Sequence, residues 1–373
     1  MRKLWYAAAT IMGGVIGAGI LGIPFVFAKA GILYGMINLA VVALLVLTVY
    51  LYMGEVMLRT NGIHQLTGYA EKYLGKIGKG LMAFALIFGI YGALIAYLLG
   101  IGDILTALLG GQPFFYITAI FIVFSALIYA GIKVVSKSEF LFSYLKIAVF
   151  ATLIISMIAF FKFSNIHAAQ FSLKTSLLPY GVVLFSLMAF PSLPEAREIL
   201  ANEEKDMKKV LLISTLIPTI IYALFALFFI GVLGNNVGEV AILTLNSVGY
   251  LQFILGFVFA ALAMTTAYLS LGLALQEMYE YDYKINHNIS FLLTCIMPYV
   301  LIILGIKSFV RTLSMVGAVA GGLTAILIVL MFLESKKKGE RHPEYVIKRH
   351  KILGWIIIVL FALGIVHEII SFF

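Results

Sequence analysis

A chain of 373 residues that is 63% hydrophobic and 12% charged, with mean hydropathy +1.09, excludes a soluble domain, in which about a quarter of residues carry charge. The formal charge of +9 would suggest nucleic acid in a soluble protein, but its distribution points to topology instead: with the N-terminus inside, twenty of the 26 Lys and Arg fall on the inner side, the positive-inside pattern. The single cysteine, Cys295, lies in an apolar span and leaves neither a disulfide nor a thiolate metal cluster.

A membrane helix needs about 20 apolar residues. In chain order the spans predicted are 4–30, 31–58, 79–109, 113–132, 139–161, 176–200, 209–233, 250–280, 289–306, 310–333 and 352–373. The expectation is an all-α polytopic membrane protein of eleven helices, with the N-terminus cytoplasmic and the C-terminus extracellular. Arg2-Lys3 before an apolar run resembles a signal peptide. The run is too long for one and another span follows at once, so no cleavage is expected.

The first span carries Gly13, Gly14, Gly17, Gly19 and Gly22. Its partner at 177–200 carries Phe190-Pro191-Ser192-Leu193-Pro194. Backbone polar groups cannot stay unpaired in hydrocarbon, so a broken helix must line a cavity or a binding site. Interrupted spans at matching positions in two halves point to a secondary transporter's substrate site. Each opens a set of five helices, about 4–161 and 176–333, and five being odd, the second set enters from the opposite side. Helix eleven, 352–373, stands outside this inverted repeat, after a basic loop whose Lys336-Lys337-Lys338 also suits anionic lipid.

At the first break, N–H groups near Ile16, Gly17, Ala18 and Gly19 suit a carboxylate. At the second, carbonyls near Ser186, Met188 and Ala189 suit an ammonium. The plain alternative is helix packing through the Gly13/Gly17 pair, but two prolines in the partner span remove donors that something must replace.

Other candidates follow along the chain. His64–Leu74 reads as an amphipathic surface helix presenting Leu66, Tyr69, Ala70, Tyr73 and Leu74. Tyr91, Tyr97, Phe190 and Tyr268 are candidate side-chain contacts to substrate, against the commoner role of aromatics in packing. Lys146, about 10 Å into the fifth helix counted from Glu139, is an ion-coupling candidate or a lysine snorkelling to the interface. Thr265, Thr266 and Ser270 could ligate sodium or bond their own helix. Glu195 is a gating candidate, paired with Arg197 or a lysine. The outer loop 234–250 has an apolar patch, Val240-Ala241-Ile242-Leu243, that suits a lid or a structured loop. Asp103 and Glu55 fall near helix ends, which favours a neutral substrate. His64, His167, His287, His342, His350 and His367 have no metal-site spacing.

Gly13-Gly14-Val15-Ile16-Gly17-Ala18-Gly19-Ile20-Leu21-Gly22-Ile23-Pro24 resembles the opening of the amino acid/auxin permease family, within the amino acid–polyamine–organocation superfamily. The segments 96–105 and 190–195 are similar to that family's third helix and sixth-helix break. The resemblance implies a LeuT-like five-plus-five fold with helices 1 and 6 broken, amino acid substrates, and a proton or sodium gradient as energy source with no cofactor. It further implies that Lys146 puts its ammonium where sodium-coupled members bind their second sodium, between helices one and eight. A lysine there and a sodium at Thr266 and Ser270 would compete, and the lysine with proton coupling is the expectation taken.

The function expected is secondary active transport of neutral amino acids by alternating access, in a prokaryotic plasma membrane, with an aromatic amino acid permease or a sodium symporter as alternatives. A sensor would carry a signalling tail, and only three residues precede the first span. No HExxH motif, Ser/His/Asp set or intramembrane carboxylate pair suggests an enzyme, and nucleic acid is not an expected partner.

Overall fold

The computed structural model describes residues 2–131, 133–166, 172–348 and 350–372, without the side chains of 133–144, 173, 174, 281, 282 and 372. His167 and Arg349, and the side chains of Lys133, Lys137, Glu139 and Lys174, therefore lie outside the described residues.

The helices are α1 (Arg2–Val15), α2 (Ile23–Ala30), α3 (Ile32–Leu58), α4 (Leu66–Leu109), α5 (Pro113–Tyr129), α6 (Lys133–Met157), α7 (Leu173–Ser176), α8 (Pro179–Leu187) and α9 (Ser192–Ile199). They continue as α10 (Met207–Leu233), α11 (Tyr250–Glu277), α12 (His287–Ile303), α13 (Phe309–Val316), α14 (Gly322–Lys338) and α15 (Lys351–Phe372). A 3-10 turn, Ala18–Gly22, joins α1 to α2, and the stretch Ala18–Ala30 is bent by 45° from α1. A π-helical turn, Gly317–Gly321, joins α13 to α14. Among the described residues six helical stretches are long and apolar enough to cross a membrane, and the α1/α2 pair makes a seventh. Pro113–Tyr129, Leu145–Phe160 and His287–Ile303 are shorter apolar helices.

The surface helix expected before the third span is present over 66–74, with Leu66, Tyr69, Ala70 and Tyr73 on its buried face. It forms the first part of α4 and is set off from the span by a break at Gly75, where φ is 76° and ψ −167°. Only glycine adopts that backbone readily. The segment Gly92–Gly102 of α4 is buried throughout, because α5, α11, α13 and α14 pack around it. At the other extreme α15 leaves Trp355, Ile356, Val359 and Leu363 exposed on its outer face. Apolar side chains facing outward are what a hydrocarbon solvent demands.

Two closures bracket the middle of the molecule. On one face the 3-10 helix Ala241–Ser247 buries Ala241, Ile242 and Leu245 against α11, and touches the Ala18–Gly22 turn and α2. The apolar patch of the 234–250 loop is thus a packed cover. Glu239 Oε2 fastens its base to the start of α13, accepting from the Ser308 hydroxyl at 2.8 Å and the Val310 N–H at 3.3 Å.

On the other face the segment 339–348 lies as a strap across the ends of α3 and α4. The Arg59 carbonyl accepts the N–H of Glu340 at 2.8 Å and of Arg341 at 3.2 Å. Tyr345 donates to Leu51 O at 2.7 Å, and Ile347 N–H donates to Glu55 Oε2 at 2.7 Å. Glu55 is fully buried, and Arg59 at 2.7 Å and Lys336 also pair with it. An unpaired carboxylate there would be prohibitive, so these partners are structural necessities. Lys3 donates to Ala201 O at 2.8 Å, which ties the N-terminal end of α1 to the segment after α9.

Candidate functional site

The first break packs against α10 and α11, and the second against α3, α10 and α13. In the first, Ile16 N–H donates to Met12 O at 2.7 Å and Gly17 N–H donates to Val15 O at 2.8 Å. Ile16 and Gly17 therefore spend the donors that sequence reasoning left free. The N–H groups of Ala18 and Gly19 open the 3-10 turn, where the first amides have no partner within a helix. None outside it is found among the described residues. Gly13 and Gly14 are exposed and Gly17 half-buried, so the break is reachable, whereas Ala18–Gly22 is buried.

In the second break, α8 ends at Leu187 and α9 restarts at Ser192. Two tyrosines take up its backbone groups. Tyr50 donates to Leu187 O at 2.9 Å and accepts from Ala189 N–H at 2.7 Å. Tyr222 donates to Ser186 O at 2.9 Å. The Ala189 carbonyl accepts Ser192 N–H at 3.0 Å. Of the three carbonyls expected to be open, those of Ser186 and Ala189 are engaged. Only that of Met188 has no donor among the described residues. Sequence reasoning missed Tyr50 and Tyr222 because each sits far along the chain in an otherwise ordinary apolar helix.

The two breaks touch. A Cβ on Gly19 would lie 2.5 Å from Ser186 Oγ and 2.9 Å from its Cα, so any larger residue would push α8 away. A Cβ on Gly17 would stand 3.8 Å from the Tyr97 hydroxyl. Tyr97 is 4% exposed, and its hydroxyl has no hydrogen-bond partner among the described residues. The free N–H pair of Ala18 and Gly19 and the Tyr97 hydroxyl therefore border one small region beside the first break.

The other candidates separate. Phe190 packs edge-on against Tyr50, ring centroids 5.5 Å apart, and serves the second break through that ring. Tyr268 faces the scaffold instead: its ring lies 4.8 Å from that of Phe124, and its buried hydroxyl has no partner. The reason is helical geometry, since Thr266 and Tyr268 are two residues apart and cannot share a face. Tyr91 also belongs to the scaffold, meeting the Tyr279 hydroxyl at 2.8 Å and donating to Leu293 O at 3.1 Å.

Lys146 points inward from α6. Its Nζ donates to Thr266 Oγ1 at 3.4 Å. Thr266 spends its own proton on Leu262 O at 2.8 Å, which leaves its lone pairs for the ammonium. Ser270 is one turn further on the same helix, half-buried. α11 also contacts the Ala18–Gly22 turn, so one helix links Lys146 to the first break.

At the strap face Glu195 is exposed, while Arg197 is the buried residue. Arg197 does not take Glu195 as its ion-pair partner, two residues away on a short helix. It pairs with Glu204 at 3.0 Å and donates to Gly62 O at 2.8 Å, Tyr69 Oη at 2.9 Å and Thr60 O at 3.0 Å. Glu204 also receives Arg341 of the strap at 2.8 Å. The Arg197–Glu204–Arg341 chain ties α9 to the strap.

The arrangement is that of known carriers. One solved structure, MhsT in complex with L-phenylalanine, superposes with a TM-score of 0.69 at 15% identity, covering 98% of each chain, which shows the LeuT-like fold. The tyrosine-specific transport system 1 of Haemophilus influenzae is 26% identical over 100% of this chain and 97% of its own. Glutamine transporter 2 of Aliivibrio fischeri is 22% identical over 90% of each. The family shown is not the amino acid/auxin permeases that the glycine motif resembles. Residues 1–371 match a different set of membrane transporters, and the chain belongs to the tryptophan/tyrosine permease family.

Proposed function

We propose that the protein is a secondary active transporter of neutral amino acids, working as a proton-coupled symporter by alternating access. The observation that carries this is the pairing of two broken helices whose hydrogen-bond partners are backbone groups and tyrosine hydroxyls. Such a setting suits a zwitterion better than a cation, which would want a carboxylate beside it. The substrate carboxylate would take the N–H groups of Ala18 and Gly19 with the Tyr97 hydroxyl. The ammonium would take carbonyls at the second break, Met188 foremost. Aromatic amino acids are the preferred subset, a reading favoured by the family and by the tyrosine-specific relative.

Proton coupling is supported by Lys146, whose ammonium occupies the oxygen of Thr266 that a sodium ion would need. Its proton would be loaded and released as the two broken helices open and close the site. Eleven crossings, the N-terminus and strap on the cytoplasmic side, and a bacterial plasma membrane complete the proposal. The positive charge of that face supports its orientation.

The test is uptake into proteoliposomes of labelled tyrosine, tryptophan, glutamine and leucine, with inward proton and inward sodium gradients imposed separately. Proton-driven accumulation is expected, tyrosine or tryptophan leading. Accumulation driven by sodium alone would overturn the coupling and move the ion to Thr266 and Ser270.

A further inference from the structure

Tyr222 lies in the middle of α10, fully buried, and none of the sequence motifs includes it. Its hydroxyl stands 2.6 Å from Val15 O and 2.9 Å from Ser186 O. Val15 is the last residue of α1, and Ser186 the last but one of α8. Each of these helices is the first half of a broken span, and each ends with the negative pole of its dipole at these carbonyls, about half a charge apiece. Two negative helix ends thus converge on one point inside the protein. Carbonyls at half-helix ends are the kind of oxygen that holds a monovalent cation in membrane carriers. Here a neutral hydroxyl fills the point, and it has one proton for two acceptors. Val15 O has a second donor in Gly17 N–H, but Ser186 O has no other among the described residues. Tyr50 provides a contrast, because it serves the second break alone.

We propose that the Tyr222 hydroxyl joins the two broken helices in place of a coordinated cation, a positioning residue whose loss leaves a vacant cation site between them. The proposal rests on the reading of the breaks as the transport site and goes beyond it by assigning what binds them together. Tyr222→Phe keeps the ring and removes only the hydroxyl. The carbonyls of Val15 and Ser186 then face one another without it, and a small cation entering between them restores the lost attraction.

The experiment compares thermal unfolding of the purified full chain in choline, lithium, sodium and potassium chloride at equal ionic strength, with no substrate. Wild type should unfold at one temperature in all four. Tyr222→Phe should unfold several degrees lower in choline and recover, saturably, with sodium or lithium, as ligand linkage requires. Tyr50→Phe should lose stability without any such recovery. A Tyr222→Phe midpoint that no cation raises above its choline value overturns the proposal, as does loss of that protein in every salt. So does an equal cation response in Tyr50→Phe. Because no substrate is present, a wrong substrate assignment leaves this comparison intact. A wild-type midpoint raised by sodium would sink the proton-coupling reading, while the further cation response of Tyr222→Phe over wild type still decides this proposal.

Discussion

Three side chains allow separate tests of the proposed site. Tyr97 offers a hydroxyl with no partner of its own beside Gly17, and a hydrogen bond to a charged group contributes about 1.5–3 kcal/mol. Tyr97→Phe should therefore raise the substrate KM roughly ten- to hundredfold with little change in stability. An unchanged KM would remove Tyr97 from the site. On the proposed mechanism Lys146 would act on coupling rather than on binding, so Lys146→Ala should abolish gradient-driven accumulation while equilibrium binding persists. Intact proton-driven uptake in that variant would refute its role. Tyr268 makes the opposite case, because its buried hydroxyl has no partner, and an unsatisfied group costs about 1–3 kcal/mol. Tyr268→Phe should transport normally and unfold at the same or a higher temperature. Lost transport would show that the hydroxyl meets substrate in another conformation.

At the scale of elements, breaks and bends are placed by backbone chemistry. The α1/α2 break falls in a glycine-rich run and the α8/α9 break at Pro191, so both positions were legible from residue types that cannot continue a helix in lipid. Which backbone groups stay open was not legible. It depends on local turns such as Gly17 N–H to Val15 O, and on tyrosines arriving from α3 and α10. The bend in α4 tests the backbone argument directly. A Cβ on Gly75 would meet nothing within 4 Å, so Gly75→Ala reports backbone strain alone, about 1–3 kcal/mol for a non-glycine residue in that conformation. The variant should unfold at a lower temperature, with specific transport activity per folded molecule reduced only if the bend moves during the cycle. An unchanged midpoint would show that the chain relaxes without the bend.

At the scale of the whole molecule, a cover packs on one face and a strap crosses the other, and the strap is held by charge. Hydrogen bonds from Lys72 and from Asn61 N–H hold the Glu340 carboxyl below its usual value. A carboxylate whose folded pKa is depressed contributes fully above its unfolded value, and that contribution is lost as pH falls through the folded one. The strap should thus be fully latched at neutral pH and loosen only in acid. Glu340→Gln at pH 7 should mimic acid and speed amide exchange over 339–347. Exchange matching wild type would show the latch resides in Arg341–Glu204 instead. By itself the sequence determined the membrane class and the two broken helices, because hydrocarbon admits only paired backbone and both features are written in local composition. The tertiary structure alone decided that Tyr222 joins the breaks, that Arg197 pairs with Glu204, that Tyr268 turns to the scaffold and that Lys146 meets Thr266. Those pairings join residues from different helices, and helix packing, which no local pattern encodes, sets which faces meet.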